Sequence, residues 1–296
     1  IKSPVCTVPS IATKVIESTR TASGYAASAY EVQTVSALIN FYHMTLCSPN
    51  INEWIECINK NWFRSFPGLT AARVRKHCTK KQQTTLGNQK MISKNVRTSN
   101  PILDAGIIKE QRYLRKQLHS IGTFLLDSQG NLLENLIAMD LAGRYPITSA
   151  QGHKYIMVMY DFDSNYINAV PIKSRKSSEL VGAFKECYDD LKRRGFEAQV
   201  LRLDNEISAE LITAIEAEGL SYQIVSPNDH RLNHAERHIQ FFKSRFIACR
   251  EGTDPTFPPD CWDLFISQIV LIMNLMRPSR INPLISAYTQ IHGEFD

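Results

Sequence analysis

Asn135-Leu136-Ile137-Ala138-Met139-Asp140-Leu141 is the segment on which the predicted fold depends. A short apolar run of this kind, bounded by polar turn residues, is typical of a buried β-strand. The segment from Gln199 to Leu203 has the same character, and Asp204 follows it directly. Two predicted strands therefore each carry an aspartate at or just beyond the apolar run.

The segments around these two strands predict the rest of the sheet and its connections. Residues 155–161 and 166–172 form a hairpin through Asp163-Ser164-Asn165, and residues 123–126 form a further strand. Helical spacing begins after Ser177, the predicted N-cap, and ends at Gly195. The remaining predicted elements are a helix over 207–218, a strand over 222–225, and helices over 233–250 and 260–278.

The order of these elements predicts the fold class. Antiparallel strands come first, and a helix then connects them to a parallel strand. Because such crossovers are almost always right-handed, this connection returns the chain to a position beside the first strand. We therefore expect an α/β fold, a ribonuclease H-like mixed sheet (antiparallel meander plus parallel strands) flanked by helices. Apolar stripes at helical spacing, with a cap at Thr70, predict a small helical domain before it.

Positive charge is concentrated before the predicted sheet. Residues 1–121 carry 17 Lys+Arg and 6 Asp+Glu, and no acid occurs between Glu56 and Asp104. A basic segment over 60–97 attracts a polyanion and makes its binding salt-dependent; a solvated linker without a partner is the other interpretation. The predicted domains are a poorly ordered lead over 1–30, the small helical domain over 31–78, a basic linker and helix over 79–121, the α/β core over 122–252 and its helical extension over 253–296.

The composition excludes several classes of protein. The richest apolar stretch is interrupted by Asn274, so no membrane-spanning segment is predicted. The N-terminus lacks the basic-then-apolar pattern of a signal peptide. The seven cysteines are scattered without a Cys-x-x-Cys, which favours free thiols in a reducing compartment. We therefore expect an intracellular protein that makes no membrane contact.

Three acids form the candidate site. If the crossover makes two strands parallel neighbours, Asp140 and Asp204 emerge side by side at the carboxyl edge of the sheet. Adjacent carboxylates repel unless a cation lies between them, and their oxygens suit Mg²⁺ or Mn²⁺. Glu236, on the helix over 233–250, is the predicted third ligand, with Gln240 and Lys243 on its flank. The predicted inward stripe of that helix comprises Ile239, Phe242 and Phe246.

Each of these acids also has a structural interpretation. A strand-end aspartate commonly caps a turn, and a lone glutamate on an amphipathic helix is commonly only solvated. We interpret four other acids as structural, namely Asp161, Asp163, Glu206 and Asp229, the last being the substitute if Glu236 is wrong. We expect the three histidines around Glu236 to be exposed at the start of the helix; they are His230, His234 and His238. For His230, contact with a metal-bound water or a phosphate is the alternative.

The motifs around the three acids resemble those of copia-type retrotransposon integrases. They are Asp140-Leu141-Ala142-Gly143-Arg144-Tyr145-Pro146, Leu201-Arg202-Leu203-Asp204-Asn205-Glu206 and Asn233-His234-Ala235-Glu236-Arg237. Upstream, Phe41-Tyr42-His43-Met44-Thr45-Leu46-Cys47-Ser48-Pro49 is similar to the pre-integrase segment. The likeness covers roughly residues 31–295. It departs from the family at Asn233, where glycine is usual, and in the 31 residues between Asp204 and Glu236, fewer than in retroviral relatives.

The resemblance implies a retroelement integrase with a DDE motif, encoded within a polyprotein, that carries out divalent-metal-dependent DNA 3′-end processing and strand transfer (polynucleotidyl transfer). Asp140, Asp204 and Glu236 would be its catalytic residues and the ligands of two Mg²⁺ or Mn²⁺ ions. The expected DNA-binding residues are Lys243, Gln240, Arg237, Arg73, Arg75, Lys76, Lys80 and Lys81. The expected partners are the double-stranded DNA of the element ends and the target, and further copies of this chain, in the nucleus if the host is eukaryotic.

Two alternatives remain beside this interpretation. The chain could be another nuclease or transposase with a ribonuclease H fold, or a catalytically dead DNA-binding remnant. Zinc is not predicted, because the upstream His and Cys residues lack a paired-cysteine spacing; they are His43, Cys47, His77 and Cys78.

Overall fold

The helices and strands of the chain are defined by a computed structural model that describes residues 29, 32, 34–78, 82–87, 135–203, 208–224 and 234–295, with the backbone alone at 82 and 234–237. The strands are β1 (Leu136–Arg144), β2 (Tyr155–Asp161), β3 (Ile167–Ile172), β4 (Val200–Leu203) and β5 (Ser221–Ile224). The helices are α1 (Val35–Thr45), α2 (Ile51–Asn59), α3 (Ala71–His77), α4 (Gln82–Gly87), α5 (Ser177–Lys192), α6 (Ala209–Ala217), α7 (His234–Glu251), α8 (Phe265–Leu275) and α9 (Ala287–His292).

The five strands form one mixed sheet in the order β3-β2-β1-β4-β5. Strand β2 pairs antiparallel with both β1 and β3, whereas β4 pairs parallel with both β1 and β5. Helix α5 makes the crossover between β3 and β4. The predicted fold class, a ribonuclease H-like mixed sheet flanked by helices, is confirmed.

Helices cover both faces of the sheet, and the alternation of side chains along β1 decides which residues meet which helices. Ile137 and Met139 pack with Phe184 of α5 in one core. Val158 and Tyr160 of β2 pack with α7 and α8 in the other core. Because cross-strand partners point to the same side of a sheet, Asp140, the partner of Val158, belongs to the face that α7 covers.

The predicted N-terminal helices are confirmed as α1 to α3. Their apolar side chains add to the core that β2 forms with α7 and α8. Trp54 is fully buried there. The Cys57 thiol donates to the Met276 carbonyl oxygen at 3.5 Å, and the Trp62 indole N–H donates to the Leu284 carbonyl oxygen at 3.0 Å. Thr70 caps α3 as predicted. Helices α1 to α3 and the sheet therefore share one apolar core.

Helix α4 lies in a segment that the sequence predicts to be a linker. It packs on α7 so closely that a Cβ atom at Gly87 would lie 2.5 Å from the Ser244 carbonyl oxygen and 2.8 Å from the Ala248 Cβ. Because no side chain fits between the two backbones, the glycine permits this contact. The polar and basic composition of this segment gave no indication of a helix that packs on α7.

Replacing Gly87 with alanine is expected to destabilise the protein by about 1–3 kcal/mol, since overpacking forces neighbouring backbone to shift. The matched control is Gly182→Ala in α5, where nothing lies within 4 Å of the added Cβ. That change should stabilise by about 0.5–1 kcal/mol through helix propensity. Urea titration of both variants measures the difference, and equal effects would show that α4 does not dock on α7.

Several boundaries differ from the prediction. Ser177 is the first residue of α5 rather than its cap; the N-cap is Lys176, which makes no side-chain capping bond. The helix predicted over 260–278 divides into a 3₁₀ turn, Pro259–Leu264, and α8. Helix α9 is unpredicted. The strand predicted over 123–126 and the boundary at 121/122 lie outside the described residues.

Candidate active site

Asp140 lies in β1, half-buried, opposite Val158 of β2. Its Oδ1 atom accepts a hydrogen bond of 2.6 Å from the backbone N–H of Leu141. Immediately afterwards the pairing with β2 shifts register between Leu141 and Arg144, with Gly143 at φ 83°. Such an irregularity bends the strand and changes the direction of its side chains. The carboxylate is therefore held in a fixed orientation just before the bend.

Asp140 lines a cavity of about 830 Å³ at the carboxyl edge of β1. Leu203 and Ser208, the described residues on either side of positions 204–207, line the same cavity. So do two exposed cations, Arg144 and Arg175. Neither arginine was among the DNA-binding residues predicted from the sequence. Their only signals were the position of Arg144 at the end of β1 and of Arg175 within a basic run before α5.

Helix α7 carries the predicted third acid. The backbone of Glu236 and Arg237 lies in its first turn. The predicted inward stripe is confirmed, because Ile239, Phe242 and Phe246 are buried, and Gln240 and Lys243 are exposed on the outside.

His238 corrects a prediction, since it is buried rather than exposed. Its ring stacks on Tyr160 at 3.5 Å between centroids, and its Nδ1 atom accepts from Arg277 at 2.8 Å. Stacking on an aromatic ring excludes water from one face of the histidine, and its buried ring nitrogens then need hydrogen-bond partners within the protein. The first turn of α7 is thus fixed over β2, the neighbour of β1.

The other predicted site residues divide into two groups. Asp204, Lys80, Lys81, Glu206, Asp229 and His230, together with the side chains of His234, Glu236 and Arg237, lie outside what the structure describes. Arg73, Arg75 and Lys76 are exposed on α3, where Arg73 donates to the Gly68 carbonyl oxygen at 2.8 Å. Their role in binding DNA stays a prediction.

No group of three His, Cys, Asp or Glu side chains within the described part of the chain is arranged to hold a metal ion. Of the three predicted ligands, only Asp140 belongs to that part with its side chain. One of the two histidines considered for zinc, His43, is buried with its Nε2 atom 3.0 Å from the Pro49 carbonyl oxygen.

The two competing acids of the β2–β3 hairpin have structural partners. Asp161 is buried and accepts hydrogen bonds from the backbone N–H of Ser164, at 2.8 Å, and from its hydroxyl. Asp163 accepts from the backbone N–H of Asn135 at 2.8 Å, which ties the hairpin to the start of β1. Burial raises the pKa of Asp161 to about 6, and the Ser164 hydrogen bonds oppose the shift.

This raised pKa predicts a pH dependence of stability. An unfolded aspartate has a pKa of about 3.9, so between about pH 4 and 6 the folded protein holds the Asp161 proton more tightly. The stabilising contribution is complete below pH 4 and is lost as the pH rises through 6. Urea titrations of wild type and Asp161→Asn at pH 4 to 7 measure it. The wild-type free energy of unfolding should fall relative to the variant by at most about 3 kcal/mol; a constant or rising difference would contradict the assignment.

The sheet order, the helices on both faces and the position of Asp140 define a ribonuclease H-like α/β protein with a candidate acidic site at the carboxyl edge of β1. Two solved structures are similar in fold. One is a chain of the simian T-cell lymphotropic virus intasome in complex with PP2A regulatory subunit B56 gamma, with 16% identity and a TM-score of 0.44 over 58% of this chain and 58% of that chain. The other is the catalytic core domain of BIV integrase, with 15% identity and a TM-score of 0.40 over 53% of this chain and 93% of that chain.

With TM-scores below 0.5, these likenesses support no conclusion about this chain. The chain spans little more than half the length of the intasome chain that it matches. No protein-family model and no curated protein matches the sequence. Among the helices that the structure describes, none has the length and apolarity required to cross a bilayer.

Proposed function

We propose that the chain is a retroelement integrase that carries out metal-dependent DNA 3′-end processing and strand transfer at Asp140, Asp204 and Glu236. The parallel pairing of β1 with β4 carries this proposal. Paired positions in these strands are 64 residues apart, as in Leu136 and Val200, and Asp140 and Asp204 are separated by the same 64 positions. Strand β4 ends at Leu203, the residue before Asp204.

The stacking of His238 on Tyr160 supports the third acid. Tyr160 pairs with Ala138, which is two residues before Asp140 on the same face of β1. His238 follows Glu236 by two residues in α7. The start of α7 therefore lies over the part of the sheet that carries Asp140. The proposed site requires this, because its three ligands come from a strand (Asp140), from the end of a strand (Asp204) and from a helix (Glu236).

The proposed ligands fit a hard divalent cation, because all three are carboxylates and oxygen ligands are those that Mg²⁺ and Mn²⁺ prefer. When bound, such ions supply Lewis-acid stabilisation of the charge that develops on a phosphodiester. The Leu141 N–H orients one carboxylate oxygen of Asp140 in advance, and this preorganisation holds the acid in one arrangement during the reaction.

The cations around the site would position DNA. Arg144 and Arg175 share the cavity with Asp140, and arginine binds phosphate through two parallel hydrogen bonds. Gln240 and Lys243 are exposed on α7. The basic residues of α3, with Arg237, Lys80 and Lys81, would contact backbone phosphates farther out, which sets register without reading sequence. Action on paired DNA ends implies an assembly of several copies.

A joining assay tests the proposal. The purified chain is incubated with a labelled duplex end, an acceptor duplex and Mn²⁺ or Mg²⁺, and the products are resolved by size. Strands longer than the substrate are expected, because joining attaches the labelled end to the acceptor. Chelation should abolish them, and the divalent ion should raise the midpoint of thermal unfolding, since a ligand that binds only the folded state stabilises it.

Each alternative gives a different result in the same assay. A nuclease of this fold would yield shortened strands without joined products. A DNA-binding remnant would yield neither, and its thermal midpoint would not respond to the divalent ion. Either result would overturn the assignment to strand transfer.

A further inference from the structure

Two cysteines from distant parts of the chain meet where the end of α1 contacts the last turn of α7. Cys47 follows α1 by two residues, and Cys249 lies within α7. Their side chains are hydrogen-bonded to each other, and both are free thiols that pack against the same apolar core. Cys47 is buried, whereas Cys249 is partly exposed. A reagent in solvent therefore approaches the pair from the Cys249 side.

The backbone at Cys47 is unusual and holds the side chain in this contact. Cys47 and Ser48 have left-handed φ angles of 56° and 47°. The Ser48 N–H donates to the His43 carbonyl oxygen at 2.8 Å, and the Thr84 hydroxyl donates to the Ser48 carbonyl oxygen at 3.0 Å. The other non-glycine residues with positive φ in the described part of the chain are asparagines, which tolerate this region better than most. Strained backbone of this kind clusters at functional sites.

The surroundings of the pair give its two thiols different acidities. The hydrogen bond from Cys47 lowers the pKa of the Cys249 thiol against the effect of burial, and the positive charge of Arg245 lowers it further. Arg245 lies on the same helix and is 3.4 Å from Glu53. The contact with Cys249, together with burial, raises the pKa of Cys47. Cys249 therefore loses its proton first, and a thiolate is the nucleophilic form of cysteine.

We propose that Cys47 and Cys249 form a redox-sensitive pair, which a hydroperoxide converts into a reversible disulfide through attack by Cys249 and resolution by Cys47. Transient disulfides in a reducing compartment are usually catalytic or redox-sensing. The bond would tie the turn after α1 to α7, the helix whose first turn carries Glu236. The inference does not depend on the proposed DNA chemistry.

The reaction has two steps. The Cys249 thiolate attacks one peroxide oxygen, so that an S–O bond forms and the O–O bond breaks; the leaving alkoxide takes up the proton that Cys249 had lost to solvent. The product is a sulfenic acid at Cys249. Cys47 sulfur then attacks Cys249 sulfur, and the departing hydroxide takes the Cys47 proton and leaves as water. Two thiols and one hydroperoxide thus give one disulfide, one alcohol and one water.

Mass spectrometry of the whole chain after treatment with hydrogen peroxide tests the pair. Remaining thiols are alkylated after unfolding, and the chain is cut with trypsin and with Glu-C, which separates Cys47 from Cys57 at Glu53 and Glu56. We expect a cross-link between Cys47 and Cys249 that dithiothreitol reverses. Cys249 should be oxidised at least about tenfold faster than Cys57, which is buried and whose pKa burial raises to about 12. An unreactive pair, or a disulfide from either thiol to another cysteine, would overturn the proposal.

Variants separate the two roles. In Cys47→Ala the cross-link should be absent, and Cys249 should accumulate as a sulfenic acid that dimedone traps. In Cys249→Ala, the buried Cys47 should resist peroxide. The control is Cys261→Ala, a buried cysteine outside the pair, which should form the cross-link within about twofold of the wild-type rate. Equal dimedone labelling of Cys249 in the wild type and in Cys47→Ala would refute the resolving role; if Cys47→Ala fails to fold, the wild-type cross-link decides.

Discussion

Asp140→Asn is expected to reduce strand joining by more than about 100-fold, because losing a metal ligand should exceed the 10- to 100-fold loss typical of changes to the partners of such ligands. Asparagine can still accept the hydrogen bond of the Leu141 N–H, so the fold should be retained. The rise in thermal midpoint with Mn²⁺ should shrink or disappear. Without metal, the variant should be at least as stable as the wild type, since one of several mutually repelling carboxylates has been removed.

The matched control is Asp163→Asn. Asp163 has a backbone partner in the β2–β3 hairpin and lies outside the candidate site. It should retain joining activity within about twofold, so the pair of variants separates a general effect of aspartate loss from a specific one. Joining by Asp140→Asn within about threefold of the wild-type rate would remove the basis of the proposed function.

Asn274→Leu is expected to destabilise the protein by about 2–6 kcal/mol. Asn274 is fully buried on α8, where its side-chain oxygen accepts from the Ile167 N–H at 2.8 Å and its amide nitrogen donates to the Ile167 carbonyl oxygen at 2.7 Å. Leucine has a similar size but leaves both backbone groups of a buried residue without partners, and each unsatisfied group costs about 1–3 kcal/mol.

Ser267→Ala, at an exposed position of α8, is the control and should change the free energy of unfolding by less than about 0.5 kcal/mol. Urea titration measures both variants. Because β3 is an edge strand, hydrogen exchange of its amides should also accelerate in Asn274→Leu. Equal stability of the two variants would show that the contact with Ile167 contributes nothing.

Asn274 illustrates which features could and could not be predicted from the sequence. In the sequence it only interrupts an apolar run and argues against a membrane segment. The structure adds that its side chain takes the place of a neighbouring strand for one residue of β3. Such a role depends on which helix lies beside which edge, and no local pattern of residues encodes that. His238 is similar, because its burial depends on Tyr160, far away in the sequence.

The candidate site was predictable in part for the same reason. The parallel pairing of β1 and β4 followed from the order of strands and the handedness of crossovers, so the position of Asp140 in its strand was predictable. The presence of Arg144 and Arg175 in the same cavity was not, since one follows a bend in β1 and the other precedes α5.

The spacing of apolar residues was enough to predict which segments are helices and which are strands, because side-chain alternation and helical spacing are local properties of the chain. The order of these segments then predicted the mixed sheet. Three features could be seen only in the folded chain: α4 docks on α7 through Gly87, α1 to α3 share the core of the sheet, and Arg277 donates to the neutral side chains of Asn165 and His238. These features are contacts between segments that are far apart in the sequence. Which of these segments come into contact depends on how well their surfaces pack together, and not on the local preferences of the residues.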